Sequence, residues 1–275
     1  MIPLTGLSAQ LGLRLVDATR DRQLELIRVE PQHARAIEAF RARIADIETV
    51  DQLIEDRELY VFVMRAFDLE DQIFGKAMIS KMLKSDIEDR TALVNRLTDP
   101  RLREMYEALG FGPDGEGNLN TLKADWREAM VARYVERQFI NVQAEQNETI
   151  GTVLEIRQKA ARIEGPFDIL KDAGIAQFFR RALGLPDVMV QVDIDRQAAM
   201  LEEKLDLTTL KDPKVLDGLV RRYVAISDAL DNTAAANNAA VMLMNSAVTA
   251  RAGGQFVPIT IDITAISLSP SAVYR

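Results

Sequence analysis

"IETVDQLIEDRELYVFVMRAFDLED" (residues 47–71) returns 116 residues later, without a gap, as "IEGPFDILKDAGIAQFFRRALGLPD" (residues 163–187). Ile47, Glu48, Asp56, Phe62, Arg65, Ala66, Leu69 and Asp71 stand again as Ile163, Glu164, Asp172, Phe178, Arg181, Ala182, Leu185 and Asp187. The apolar class is also kept at Leu53, Ile54, Leu59, Val63 and Phe67. Within the first copy Leu53, Ile54, Tyr60, Val61, Met64 and Phe67 fall at helical spacing, with Glu55, Asp56, Arg57 and Arg65 mostly between them, which predicts one amphipathic helix across this stretch. After a shortening of three residues the register resumes at Leu97, Asp99 and Pro100 against Leu210, Asp212 and Pro213.

The echo therefore predicts an all-α fold of two related multi-helix units, residues 32–111 and 148–226, packed together about a pseudo-two-fold axis. Residues 1–31 form an N-terminal segment, 112–147 a polar linker and a connecting helix, and 227–275 a C-terminal helix with a strand-like extended tail. Each Asp-Pro pair, Asp99-Pro100 and Asp212-Pro213, reads as a helix start: the carboxylate accepts from orphan N–H groups, and proline tolerates the first helical position. At the repeated joint, Leu69 and Leu185 are expected to plug a corner between two helices and Asp71 and Asp187 to cap the next one. Arg65 and Arg181 have no partner assigned by the sequence.

Composition narrows the function classes. Lys plus Arg is 34 and Asp plus Glu is 42, a net charge of −8, which disfavours nucleic acid or an anionic membrane as the main partner. The absence of cysteine excludes disulfides, Cys-ligated zinc and a thiol nucleophile. The N-terminal stretch has no basic region ahead of its apolar residues and does not read as a cleavable signal, and "AAANNAAVMLMNSAVTA" (234–250) falls short of the roughly 20 apolar residues of a transmembrane segment. Neither GxxxxGK[ST] nor GxSxG occurs, and the GxGxxG spacing of Gly110, Gly112 and Gly115 falls in the punctuation between helical runs and not after a strand, so no cofactor, metal or catalytic residue is expected.

The single histidine, His33, is expected to face solvent in the first turn of a helix. "DGEGNLNTLKAD" (114–125) brushes against a calcium loop, but Leu119 and Asp125 stand where such a loop needs glycine and glutamate; it reads as a linker with Asn118 or Asn120 opening the next helix. Trp126 on that helix is expected to pack between the units. Asp193 and Asp195, and Glu202 and Glu203, are too close in sequence to share a helix face and read as solvated, with Asp195 as an N-cap.

Residues 231–250 place Asp231, Asn238 and Asn245 seven apart, with Ala234, Val241 and Val248 three residues after each; this reads either as an ordinary helix with a small-residue packing face or as an interface, for which Asn238, Met242 and Asn245 are the candidates. Beyond Gly253-Gly254, Ile259, Ile261 and Ile263 alternate with polar residues as in a half-buried strand. A lone strand needs a partner: the N-terminal "LGLRLV" if extended, a second copy of the chain, or another protein by strand addition.

Three ordered segments, "RELYVFVMRAFDLEDQIFGKAMISKMLKSDIEDRTALVNRLTDPRLREMYEALGF" (57–111), "VERQFINVQAEQNETIGTVLEIRQKAARI" (135–163) and "RALGLPDVMVQVDIDRQAAMLEEKLDLTTLKDP" (181–213), resemble a bacterial family known only as a domain of unknown function. Its members carry such segments in multiple copies, and their genes often lie among flagellar genes. The resemblance spans about residues 30–226 and implies a flagellar context with no catalytic residue to carry over. The expected function is a non-enzymatic structural or protein–protein interaction component of the flagellum, acting in the cytoplasm or after export, with a protein partner and with homo-oligomerisation open. The alternative is a cytoplasmic regulatory protein whose inter-unit cleft holds a small molecule, with Arg65 and Arg181 among its polar groups.

Overall fold

Asp56 decides how the first echo folds. Its backbone is extended (φ −74°, ψ 95°), and its Oδ1 accepts from the N–H groups of Glu58 and Leu59, each at 3.1 Å. The stretch expected to be one helix is therefore two, because a side chain that caps the second turn ends the first. Asp172 does the same in the second copy, accepting from Gly174 at 3.0 Å and Ile175 at 3.1 Å.

The structure, a computed structural model, describes residues 2–4 and 6–236. Those residues build the helices α1 (Ala9–Val29), α2 (Pro31–Arg43), α3 (Val50–Glu55), α4 (Arg57–Ala66), α5 (Lys76–Leu83), α6 (Leu93–Arg96) and α7 (Pro100–Leu109). They continue with α8 (Ala124–Gln146), α9 (Glu148–Lys159), α10 (Pro166–Leu170), α11 (Ala173–Leu183), α12 (Ile194–Lys204) and α13 (Pro213–Ala236). Short 3-10 turns join several of them. Among the described residues there is no strand, only an isolated antiparallel bridge between Thr49 and Glu116, and the fold is all-α. "LGLRLV" lies inside α1, so it is not an extended partner for the tail. Asn238, Met242, Asn245, Ile259, Ile261 and Ile263 lie outside the described residues.

The order of elements recurs from residue 9 onward. A long helix, a second helix ending in a 3-10 turn, a short helix, an Asp-capped helix and a further turn run from α1 to residue 72 and again from α8 to residue 191. Residues 1–227 make one compact unit and residues 228–275 a second. Helix α8 lies at the centre of the first unit, packing on α1, α4 and α9 and burying Val131, Tyr134, Val135, Phe139 and Ile140. Phe40, Phe62 and Tyr134 form a continuous stack with centroids 4.2 and 4.3 Å apart. Phe178, at the position equivalent to Phe62, packs on Phe179 and Tyr223 at 5.2 and 4.8 Å. Each such ring, fully buried, contributes about 1.5–3 kcal/mol, so the repeated phenylalanine marks the core of each half.

The joints "RAFDLED" and "RALGLPD" have the same backbone. Leu69 N–H donates to the Met64 carbonyl and Leu185 N–H to the Arg180 carbonyl, both at 2.8 Å. Asp68 and Gly184 take up the left-handed conformation that this helix ending requires, with φ 60° and 67°. Leu69 and Leu185 are buried against the core, as expected of corner plugs. Asp71 and Asp187 do not cap: both lie within 3-10 turns whose leading residues, Leu69 and Pro186, make no side-chain cap bond. The Asp-Pro pairs do cap, with Asp99 accepting from Arg101 N–H and Asp212 from Lys214 N–H, each at 2.9 Å.

Candidate functional site: a charged cleft

The second carboxylate oxygens of the two capping aspartates are also used alike. Asp56 Oδ2 lies 2.8 Å from Arg43 Nη1, and Asp172 Oδ2 lies 3.1 Å from Lys159 Nζ. Arg43 and Lys159 are themselves 116 positions apart, so cap and ion pair recur as one device. In the second copy it opens into a cleft of about 710 Å³ bounded by the end of α4, the start of α7, α8, α9 and the start of α11.

The cleft holds a continuous chain of charges. Arg101 lies 2.8 Å from Asp99 and 3.5 Å from both Asp71 and Asp68. Asp68 is also 3.4 Å from Arg137, which makes a close pair with Glu155. Lys159 stands 3.0 Å from Glu155 and continues to Asp172. Burial opposes ionisation of Glu155, Asp99 and Asp172, yet Arg137 with Lys159, Arg101, and Lys159 respectively hold the three below the ordinary carboxylate range. Lys159 is raised, because the attraction of Glu155 and Asp172 outweighs its own burial. Asp68 alone among these carboxylates is raised: burial outweighs Arg137 and Arg101, with Glu155 adding repulsion.

Asp68 is thus doubly unfavourable, a non-glycine residue at positive φ and a carboxylate short of compensation. Its counterpart is Gly184, which has neither cost. A second cavity of about 540 Å³ shares Arg101, Lys159 and Asp172 with the first, and beyond them Glu104 is held between Arg133, at 2.8 Å, and Arg162. Arg101, Arg137 and Lys159 each already hold a carboxylate, so the arrangement suits clamping helices together.

The residues singled out by the sequence lie elsewhere. Arg65 donates from Nε and Nη2 to Glu70 at 2.9 and 2.7 Å, and Arg181 donates to Ser227 Oγ at 3.3 Å; neither lines either cavity. His33 is in the first turn of α2 but buried, not facing solvent, because it meets the central helix: its Nδ1 is 2.8 Å from Tyr134 Oη. That burial, opposed by Glu30 and aided by Arg65, lowers its pKa. Asp193, not Asp195, caps α12, accepting from Asp195 N–H at 2.9 Å. Neither Asn118 nor Asn120 opens α8, whose leading residue is Lys123. Trp126 donates its indole N–H to Ala108 at 2.8 Å and lies 6.2 Å from Phe40. One signal for the cleft is present in the echo: at the left-handed position of the joint the first copy carries Asp68 where the second carries Gly184.

No helix among the described residues is long and apolar enough to cross a membrane, and no group of metal-ligating side chains occurs among them. No curated protein matches the chain. The crystal structure of protein AGR_C_984 from Agrobacterium tumefaciens is similar, with 27% identity and a TM-score of 0.71 over 82% of this chain and 95% of that one. The model of a family described as proteins of unknown function, DUF1217, matches residues 66–216, more than half of the chain and the whole stretch that carries the cleft between Asp68 and Ile175. The chain belongs to the DUF1217 family.

Proposed function

We propose that this protein is a non-enzymatic interaction component that works with the bacterial flagellum, in the cytoplasm or after export. The observation that carries the non-enzymatic class is the self-sufficiency of the cleft: Arg101, Arg137 and Lys159 each already hold a carboxylate. The sole histidine is engaged with Tyr134 and not with a hydroxyl nucleophile of the Ser–His kind. Surface chemistry supports a protein partner. Phe74 is 97% exposed in the turn after the first joint, and Val188, Val190 and Ile194 are exposed after the second, with Phe74 and Val190 at equivalent positions. The flagellar context rests on the family resemblance of the three ordered segments. Deletion of the gene is expected to impair flagellar assembly or swimming, with recovery on complementation; unaltered swimming refutes the reading.

A second reading, a regulatory protein binding a small charged molecule, draws support from the volume of the cleft, within the roughly 300–1,000 Å³ of ligand pockets, and from the strained Asp68. Such a ligand has to displace ion pairs already formed, which makes this reading the weaker one.

A further inference from the structure

The loop between α7 and α8 folds back onto the residues just before α3. Glu116 bridges to Thr49, Thr121 Oγ1 donates to the Ile47 carbonyl at 3.3 Å, and Gly112 N–H donates to the carbonyls of Glu116 and Gly117 at 3.1 and 3.0 Å. Asp114, Gly115 and Gly117 all have positive φ, so the loop is tightly folded. Between it and residues 45–49 lies a pocket of about 190 Å³.

Its lining is unlike that of the charged cleft. Glu48 and Glu116 are exposed at the rim, no lysine or arginine lines the pocket, and neither glutamate is in an ion pair among the described residues. Leu119 and Leu122, one helical turn apart in spacing, are 75% and 60% exposed beside them. Asn118 is only 5% exposed; its Oδ1 accepts from Asn120 N–H at 2.9 Å, while its Nδ2 donor is buried without a partner. A buried donor left unpaired costs about 1–3 kcal/mol, so the loop gains when a carbonyl reaches it. The volume is below the roughly 300 Å³ at which small-molecule pockets begin, and suits one inserted side chain.

We propose that this pocket docks a short segment of a partner protein in which a lysine or arginine stands next to an aliphatic residue. The cationic head is attracted by the two unpaired glutamates, its methylene stem and the neighbouring aliphatic side chain cover Leu119 and Leu122, and a backbone carbonyl of the segment satisfies Asn118 after a small opening of the loop. The net charge of −8 draws the same kind of partner at long range. The inference deepens the interaction reading, on which it rests for the existence of a partner, and is independent of the flagellar context.

A random dodecapeptide library displayed on phage, selected on the full chain and counter-selected on the double variant Glu48→Lys with Glu116→Lys, tests it. Both positions are exposed, and a thermal melt establishes that the variant is folded. The expected result is a set of peptides that bind the parent at least about tenfold more tightly than the variant, share a basic residue beside an aliphatic one, and shift the amide resonances of residues 45–49 and 116–122. The variant Leu119→Ser with Leu122→Ser is expected to weaken a synthetic representative by about tenfold or more. Failure to enrich peptides that distinguish parent from variant, an acidic consensus, or perturbations mapping elsewhere overturns the proposal. Impaired swimming on gene deletion together with any of those failures removes this surface and leaves the interaction reading standing; enriched basic peptides with normal swimming keep the surface and remove the flagellar context.

Discussion

Replacing Asp68 with glycine should make the protein more stable, although it deletes a member of the charge chain in the cleft. A non-glycine residue at φ 60° costs about 1–2 kcal/mol, somewhat less for aspartate than for most side chains. Against this stand the contacts with Arg137 and Arg101 at 3.4 and 3.5 Å, both beyond good hydrogen-bond length and made by a carboxylate that is itself 34% exposed, worth about 0–1 kcal/mol each. Arg137 keeps Glu155 and Arg101 keeps Asp99, so neither cation is orphaned. With mid-range values of about 1.5 kcal/mol for the strain and about 0.5 kcal/mol for one or both contacts, the net gain is about 0.5–1 kcal/mol, a rise in Tm of roughly 1–4 °C for a unit of this size. Asp68→Ala loses the same contacts and keeps the backbone strain, so the expected order of Tm is glycine above aspartate above alanine. Because burial raises the carboxyl's pKa, protonation favours the folded state. The advantage of glycine is therefore full at neutral pH and shrinks as pH falls through the carboxylate range toward 3.8 and below. Calorimetric melts of the three proteins at pH 7 and at acid pH measure this. A glycine variant melting 2 °C or more below its parent would show that the long ion contacts outweigh the strain, and would refute the argument.

Other perturbations follow from the same geometry. Asp56→Ala and Asp172→Ala each remove two cap bonds and one ion pair, and chemical denaturation should register a loss of about 1–2 kcal/mol for each. Gly151→Ala places a methyl group 2.4 Å from Ala144 Cβ, where α9 meets α8; the helices have to separate, at a cost of about 1–3 kcal/mol in a urea titration, and a neutral result would mean that the crossing is looser than described. Leu69→Ala should cost about 2–5 kcal/mol through the cavity left at the corner, read as a lowered midpoint of unfolding. His33 has a folded pKa below 6.5, so its contribution is complete above that value and is lost as pH falls through it; His33→Gln should flatten the dependence of Tm on pH between about 7 and 5.

Much of the architecture is legible in the sequence because capping chemistry is local. Asp99 and Asp212 announce helix starts by standing before proline, and the buried positions of Leu69, Leu185, Phe62 and Phe178 follow from their recurrence at helical spacing. Asp56 was harder to read, since an acidic residue on the polar side of an amphipathic stretch looks the same whether it is solvated or ends one helix and caps another. The role of α8 is hidden for a different reason. Arg137, Gln143 and Tyr134 are buried along with its apolar residues, so the polar groups that meet Glu155, Gln23 and His33 blur the apolar stripe and make a central helix look like a connector. The cleft is less legible still: Asp68, Arg137 and Lys159 come from separate helices or helix ends, and only their packing brings the charges together.

The placement of α8 also sets a timetable for synthesis. Phe40 and Phe62 are translated early, but the ring that completes their stack, Tyr134, belongs to a helix made after the whole first set of helices. At roughly 5–20 residues per second the ribosome needs about 4–14 s to go from Phe62 to Tyr134, 72 residues on. During that interval the nascent chain carries an uncovered aromatic face that only its own next segment can close, and a chaperone with affinity for such faces has its opportunity there.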